Sequence, residues 1–194
     1  MDSGLYCILL MKSIVMPSIE LQHQIQAAIR NVPDFPKVGI QFKDITPILQ
    51  NPQLSSQMLD FLAKQCAKLN VGAVAAIESR GFMFGFPLAL RLDVPFIPFR
   101  KQGKLPYDVV SHEYALEYGT AIIEAHTDAI AAGTRVLIHD DLLATGGTAG
   151  ASAELVKLLG GTVAGFSFLV ELGFLGGREK LEVYTPEITT LVKY

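Results

Sequence analysis

Residues 136–150, VLIHDDLLATGGTAG, are the stretch from which the fold of this 194-residue chain can be predicted. An apolar strand leads into Asp140 and Asp141, and a Thr/Gly loop, residues 145–148, then opens a helix. Unhindered backbone N–H groups, two hydroxyl donors and the positive end of a helix favour a phosphate in that loop. The two acids would repel a phosphate, so they predict a vicinal diol or a cation as their partner. A ribose phosphate carries such a diol.

Two other phosphate-binding motifs are excluded by the residues of this loop. A nucleotide-hydrolysing P-loop needs a lysine followed by Ser or Thr, whereas Gly147 is followed by Thr148 and Ala149. A dinucleotide fingerprint needs G-x-G-x-x-G, which residues 146–150 do not supply. One structural alternative stays open: a glycine-rich helix start after a buried strand, with the two acids as solvated caps.

Several blocks of sequence, from about Met16 onward, extend the pattern beyond this loop. They are VPDFP (32–36), GIQFKDITP (39–47), ESRGF (78–82), RKQGKLP (100–106), LEYG (116–119) and LVEL (169–172). With DDLLATGGT (140–148), which resembles a phosphoribosyl pyrophosphate motif, they resemble the type I phosphoribosyltransferases, most closely those that act on adenine. Separate blocks in the right order are more specific than one loop.

The resemblance implies transfer of the phosphoribosyl group of phosphoribosyl pyrophosphate to adenine, giving AMP and pyrophosphate. It implies Mg²⁺ as cofactor, held mainly by substrate oxygens rather than by protein ligands. It implies a homodimer with an α/β fold: a mostly parallel twisted sheet flanked by helices, with a small N-terminal hood and a flexible lid. Two alternatives stay open: transfer to hypoxanthine, guanine, uracil or orotate, and a non-catalytic regulator that senses phosphoribosyl pyrophosphate.

The resemblance also divides the candidate site residues by the part of the substrates that they meet. For the ribose and the 5′-phosphate they are Asp140, Asp141, Ala144, Thr145, Gly146, Gly147 and Thr148. For pyrophosphate they are Ser79, Arg80, Arg100, Lys101, Lys104 and Tyr118. For adenine they are Gln41, Phe42, Lys43 and Leu172. The candidate catalytic residues are Glu117, Asp141 and Arg80.

For two of these groups, the pyrophosphate and adenine residues, physical chemistry also supports the assignment. Arg80 stands at a predicted strand-to-helix junction, a good position for a second phosphate group. The resemblance places the pyrophosphate loop there, with a strained or cis peptide near Ser79 and Arg80. A purine needs a flat apolar surface, and Phe42 with Leu172 could sandwich the ring. Backbone carbonyls near Gln41 and Lys43 could read its amino group, although these two side chains depart from those of many relatives.

Residues 100–118 are too long and polar for a tight connection and carry three basic side chains. A mobile basic loop can close over pyrophosphate, exclude water and neutralise charge on the leaving oxygen. The alternative is a solvated hairpin with incidental charges. The resemblance makes Glu117, in this segment, the candidate general acid or base near the purine.

Composition agrees with one small enzyme domain. Half of the residues are hydrophobic and the formal net charge is −3, so a sizeable core is expected and nucleic acid is not. The chain has two cysteines, Cys7 and Cys66, which are too few for a disulfide framework and suit a reducing cytoplasm. Apolar runs are shorter than the roughly 20 residues that span a bilayer, so we expect no membrane association.

The first residues need separate treatment, because Met1, Met11 and Met16 are all possible starts. The apolar run 5–11 has no preceding basic residue and no clean cleavage site, which disfavours a secretory signal. We expect residues 1–16 to be a disordered or mis-assigned extension and residues 17–194 to form one domain.

Hydrophobic periodicity predicts alternating helices and strands. A helix capped by Ser18 should run to about Arg30 and bury Ile19, Ile25 and Ile29. A second helix, residues 52–69, should bury Met58, Leu59, Leu62 and Cys66. Residues 81–92 should form a helix, and the predicted strands are residues 71–77, 94–99, 135–139, 162–170 and 188–192. Strands that alternate with helices imply a mostly parallel sheet.

Overall fold

The computed structural model describes residues 16–115 and 119–194. The helices are α1 (Ile19–Ala28), α2 (Thr46–Leu49), α3 (Pro52–Cys66), α4 (Arg80–Leu92), α5 (Gly147–Leu158) and α6 (Gly177–Leu181). The strands are β1 (Arg30–Pro33), β2 (Gln41–Asp44), β3 (Ala73–Ile77), β4 (Phe96–Lys101), β5 (Val109–Ala115), β6 (Thr120–His126), β7 (Arg135–Leu143), β8 (Thr162–Glu171) and β9 (Ile188–Lys193). The predictions for residues 1–15, Glu117 and Tyr118 lie outside the described residues.

Within the described ranges, β3 to β9 form a seven-stranded sheet in the order β5-β6-β4-β3-β7-β8-β9. The pairs from β4 through β3, β7 and β8 to β9 are parallel, while β6 pairs antiparallel with β4 and β5. Strands β1 and β2 form a separate antiparallel hairpin, called here the N-terminal hairpin. The predicted mostly parallel sheet is therefore confirmed.

The sheet lies between two hydrophobic clusters because its central strands are apolar on both faces. All five residues of β3, AVAAI, are buried. One cluster joins the sheet to α5, and the other joins its opposite face to α1, α3 and α4. Such two-sided burial is typical of parallel strands with helices on both faces. None of the helices in the described residues is both long and apolar enough to cross a membrane.

The predicted helices are largely confirmed. Ser18 caps α1, with its hydroxyl oxygen accepting from Leu21 N at 3.2 Å, and Ile25 and Ile29 are buried. The burial of Ile19 was a wrong prediction, because at the first turn its side chain projects into solvent and is 73% exposed. In α3 the inward residues are as predicted, and all are buried: Met58, Leu59, Leu62 and Cys66.

Two segments differ from their prediction. Strand β7 continues through Asp140 and Asp141 to Leu143, because pairing with β8 extends to the end of that strand. The predicted loop 100–118 contains strand β5, whose half-buried residues alternate with exposed ones. Its pairing with β6 forms a hairpin at the antiparallel edge, which agrees with the hairpin of the alternative interpretation. The lid motion stays a prediction.

His139, in the middle of β7, makes stability depend on pH. It is fully buried, and its Nδ1 lies 2.7 Å from the Ser167 hydroxyl oxygen. Burial lowers its pKa to about 3 from the usual 6.5, so below pH 6.5 the unfolded chain binds a proton that the folded chain excludes. We expect this residue alone to lower the unfolding free energy as the pH falls from 6.5 towards 3, with a slope that approaches about 1.4 kcal/mol per pH unit once the unfolded histidine is fully protonated.

Urea unfolding of the wild type and of His139→Gln at pH 7.0, 6.0 and 5.0 measures this contribution. The variant should lose stability with falling pH less steeply than the wild type. Equal slopes for the two proteins would remove His139 as the source.

Candidate active site

The predicted site residues collect where the parallel strands end. Arg80 begins α4 directly after β3, Arg100 lies near the end of β4, and Leu172 follows β8. Asp140 and Asp141 lie in the last part of β7, which is flanked by β3 and β8. In open parallel sheets ligands bind at this edge, where the connecting loops and helix N-termini converge.

Arg80 and Asp141 meet at the centre of this edge. The Arg80 Nε lies 2.5 Å from Asp141 Oδ2, and the Asp141 side chain is 4% exposed. Although partial burial opposes it, the hydrogen bond and charge of Asp141 raise the pKa of Arg80. Sixty residues of sequence separate the two groups, and the β3–β7 pairing brings them together. The guanidinium is therefore a fixed cation beside a buried carboxylate.

The neighbouring carboxylate, Asp140, has a different environment. Burial, together with the charge of Asp141, raises its pKa well above the usual value, and its Oδ1 accepts from the Asp141 N–H at 2.9 Å. A Cβ added at Gly81 would lie 2.9 Å from the same Oδ1, so only glycine lets α4 approach this closely. The two acids thus differ: Asp141 pairs with a cation, while Asp140 is held close to the backbone.

The Thr/Gly loop surrounds a cavity of about 80 Å³ lined by Asp140 and residues 142–149. Pockets for drug-sized ligands are roughly 300–1,000 Å³, so this cavity fits a small group such as a phosphate. Gly146 has φ +75° at the N-cap of α5, a conformation that favours glycine. The first N–H groups of α5 face this end of the helix without intrahelical acceptors. All five candidates from Ala144 to Thr148 line the cavity.

Phe42 lies on the other side of Arg80. Its ring is half-buried, makes an edge contact with Phe35 at 5.1 Å between centroids, and lies 5.4 Å from the Arg80 Cζ. Arg80 therefore lies between the N-terminal hairpin and the acids of β7.

Lys43 is held by two contacts that the sequence did not predict. Its Nζ donates to Asn31 Oδ1 at 2.7 Å and lies 3.7 Å from the centroid of the Tyr194 ring. Tyr194 O in turn accepts from Gly173 N at 2.9 Å, next to the half-buried Leu172. Strand β2 is thereby fixed against the segment after β8. Gln41 is exposed and pairs through its backbone register with Pro33.

The candidate pyrophosphate residues are only partly brought together. Arg100 Nε lies 3.1 Å from Glu78 Oε2, and the same oxygen accepts from Lys101 N at 3.0 Å. Ser79 is exposed beside Arg80, and the cis peptide joins Glu78 to Ser79, one bond before the predicted position. Lys101 and Lys104 project into solvent. Glu117 and Tyr118 belong to the part of the chain outside the described residues.

Sequence reasoning missed a buried ion pair beside the site. Arg178 Nη2 lies 2.6 Å from Glu171 Oε2, and both side chains are largely buried. Gly177, the residue before Arg178, packs against the backbone of Ala144 and Gly146. The Gly-rich stretch 173–177 was the signal available, since repeated glycines indicate close backbone approach.

Comparison with known proteins agrees with this geometry. The phosphoribosyl transferase domain model matches residues 45–186. The adenine phosphoribosyltransferase of Cytophaga hutchinsonii is 51% identical over 174 residues, which are 90% of this chain and 96% of that protein. The crystal structure of the adenine phosphoribosyltransferase from Thermoanaerobacter pseudethanolicus has a TM-score of 0.86 at 52% identity, covering 89% of this chain and 99% of the other.

A third relative was solved with ligands. The enzyme from Saccharomyces cerevisiae, complexed with adenine and D-2,5-dideoxy-2,5-imino-altritol 1,6-bisphosphate, has a TM-score of 0.82 at 39% identity. That match covers 89% of this chain and 99% of the yeast chain. The sequence match and the fold lead to one conclusion: the chain belongs to the phosphoribosyltransferase family, and within it to the adenine phosphoribosyltransferases.

Proposed function

We propose that this chain transfers the phosphoribosyl group of phosphoribosyl pyrophosphate to adenine, forming AMP and releasing pyrophosphate. The position of Arg80 carries the proposal: it pairs with Asp141 at 2.5 Å and lies 5.4 Å from the Phe42 ring. Arg80 thus contacts two parts of the site at once: the end of β7, which leads to the phosphate cavity, and the Phe42 ring, whose flat apolar surface suits a purine. Relatives that are 51% and 55% identical bear the name of this activity.

The reaction breaks the bond between C1′ of the ribose and a pyrophosphate oxygen, and the adenine nitrogen that forms the new bond to C1′ loses its proton to a general base. Positive charge develops on the ribose as pyrophosphate leaves. The Asp141 carboxylate stabilises that charge, and Arg80 stabilises the negative charge on the leaving group. The loop 145–148 holds the 5′-phosphate at the N-terminus of α5. Glu117, outside the described residues, stays the predicted general acid or base.

We also propose Mg²⁺ as the cofactor, on the chemistry of the oxygen donors. Asp141 already pairs with Arg80, which leaves Asp140 as the carboxylate nearest the ribose position. The described residues contain no group of three or more His, Cys, Asp or Glu side chains that could hold a metal ion. These donors fit an ion that keeps substrate oxygens and waters as most of its ligands. When bound, Mg²⁺ neutralises charge on the pyrophosphate group.

Formation of AMP from adenine, phosphoribosyl pyrophosphate and Mg²⁺ tests the proposal directly. Hypoxanthine, guanine, uracil and orotate should be run in parallel, because the sugar-phosphate motif is shared by enzymes for those bases. Turnover with adenine only is the expected result. Turnover only with another base would contradict the base assignment, and binding of the sugar phosphate without turnover would favour a regulator.

Phe42→Ala should raise the KM for adenine about tenfold or more, because loss of an aromatic contact costs on the order of 1.4 kcal/mol. Phe42→Leu keeps apolar bulk without the flat ring and should give an intermediate value. The KM for phosphoribosyl pyrophosphate should change little in either variant. Steady-state kinetics with each substrate varied in turn makes the measurement, and an unchanged adenine KM would remove Phe42 from the base pocket.

We further propose that residues 17–194 act as one domain that carries this activity. A homodimer remains a prediction from the resemblance, and a cytoplasmic location remains a prediction from the use of cysteine. Cys66, the free cysteine of the described residues, is buried, and burial raises the pKa of its thiol to about 12, which keeps it protonated.

A further inference from the structure

The first turn of α6 packs directly against the phosphate loop, although it does not line the cavity. A Cβ added at Gly177 would overlap the carbonyl oxygen of Ala144 and lie 2.9 Å from Gly146 N. A Cβ added at Gly146 would lie 2.7 Å from Gly177 O. The two backbones are therefore in van der Waals contact without side chains between them. Any shift of Gly177 must move the loop or open a gap behind it.

The residue after Gly177 is fixed by several bonds. Arg178 Nη2 lies 2.6 Å from Glu171 Oε2, and its Nε lies 3.1 Å from Glu171 Oε1. Its Nη1 also donates to Ile188 O at 3.2 Å, and its Nη2 lies 3.4 Å from Thr190 Oγ1. The guanidinium thus connects α6 to the last residue of β8 and to the first half of β9. The planar five-donor geometry of arginine suits this arrangement, and a lysine could not reproduce it.

Burial makes the ion pair between Arg178 and Glu171 costly to break. The Arg178 and Glu171 side chains are 13% and 2% exposed, and a buried carboxylate that loses its partner is left with an uncompensated charge. Lys193 Nζ also lies 3.2 Å from Glu171 Oε1, but its side chain is 56% exposed. It lies on β9 and makes no bond that would fix α6. Arg178 is therefore the polar group that connects the helix to the sheet, in addition to the apolar packing of Leu181 in the core.

We infer that Arg178 is a positioning residue for the phosphate loop: its pairing with Glu171 holds Gly177 against Ala144 and Gly146, and so sets the shape of the sugar-phosphate cavity. Arg178 does not line that cavity, so it acts through the backbone of Gly177 rather than on the phosphate. This inference rests on the proposed function of the loop as the site of the 5′-phosphate. It adds a determinant of sugar-phosphate affinity that is separate from the base pocket.

Ribose 5-phosphate is the probe, because its binding can be measured without any turnover. Isothermal titration calorimetry should show that Arg178→Gln weakens its binding roughly 10- to 100-fold, as expected when a binding loop shifts by about 1 Å. In kinetics the KM for phosphoribosyl pyrophosphate should rise and the KM for adenine should change far less. Arg178→Lys keeps the positive charge but loses the planar set of donors, so it should bind ribose 5-phosphate more tightly than Arg178→Gln and more weakly than the wild type.

The control is Arg135→Gln, the same change at another arginine with several bonds. Arg135 Nε and Nη2 donate to Leu69 O at 3.1 and 3.0 Å, at the opposite end of β7 from the loop. It should bind ribose 5-phosphate like the wild type. Circular dichroism at the assay temperature checks that each variant is folded. Should Arg178→Gln fail to fold, Arg178→Lys against Arg135→Lys makes the same comparison.

The outcomes separate this inference from the proposed function. Weak binding by Arg178→Gln with normal binding by Arg135→Gln supports the inference, even if the wild type forms no AMP from adenine and the proposed reaction fails. Wild-type affinity in Arg178→Gln overturns the inference while leaving AMP formation untouched. Equal increases in both KM values, or a wild type that binds no ribose 5-phosphate, would also overturn it.

Discussion

Asp141→Asn is expected to lower kcat for AMP formation by roughly 10²- to 10³-fold, the usual cost of removing one electrostatic contact to a transition state. The side chain is 4% exposed, and its carboxylate lies 2.5 Å from Arg80 Nε. Asparagine keeps the volume and removes the charge, so the developing positive charge on the ribose loses one of the two carboxylates at the end of β7. Arg80 loses its partner as well and is free to change position.

The same substitution should alter the ionisation of Asp140. The charge of Asp141 is one of the causes that raise the pKa of Asp140, after burial, so its removal should lower that pKa. If the ionised form of Asp140 is the active one, the rise of kcat/KM with increasing pH should therefore occur at a lower pH in Asp141→Asn than in the wild type. Pre-steady-state and steady-state kinetics between pH 5 and 9 make this measurement.

Asp60→Asn is the matched control for this experiment. Asp60 also pairs with an arginine, Arg91 Nε at 2.7 Å, but its side chain is 66% exposed and lies on α3. Surface pairs contribute little, so this variant should keep wild-type kinetics. Equal rates for Asp141→Asn and the wild type would remove Asp141 from the catalytic residues and leave its pairing with Arg80 a structural contact.

The part of the candidate site that could be predicted from the sequence is the one whose residues are neighbours in the chain. Asp140, Asp141 and the loop 145–148 are contiguous, so their residue types alone indicate a ribose next to a phosphate. Arg80 could be placed near them because it follows one parallel strand and they lie at the end of another. The fold followed from the same alternation of apolar strands and helices.

The contacts that sequence reasoning missed depend on how the strands pack in the folded chain. Lys43 bonds to Asn31 across a two-stranded hairpin and packs against Tyr194, and no periodicity links these positions. The pair formed by Glu171 and Arg178 resembles ordinary surface charge until β8 and β9 bury it. Such contacts depend on tertiary packing, which the pattern of one chain does not encode locally.

Gly177→Ala is expected to raise the KM for phosphoribosyl pyrophosphate roughly 10- to 100-fold and to lower the unfolding free energy by about 1–3 kcal/mol. The added methyl group would overlap the Ala144 carbonyl oxygen, so the loop or α6 must shift. Both neighbouring contacts are backbone atoms, which cannot rotate away as a side chain can. Steady-state kinetics and urea unfolding of the same preparation measure the two effects.

Gly150→Ala supplies the comparison, because it makes the same change in α5, just beyond the cavity. A Cβ there would lie 3.8 Å from the nearest atoms of Tyr184, an ordinary contact. Alanine in a helix is favoured over glycine by roughly 0.5–1 kcal/mol, so this variant should be at least as stable as the wild type and keep its KM values. If Gly177→Ala behaved in the same way, α6 would not shape the phosphate loop. A loss confined to Gly177→Ala would instead make the backbone contact between α6 and the loop a requirement for binding the sugar phosphate, independent of any side chain that touches it.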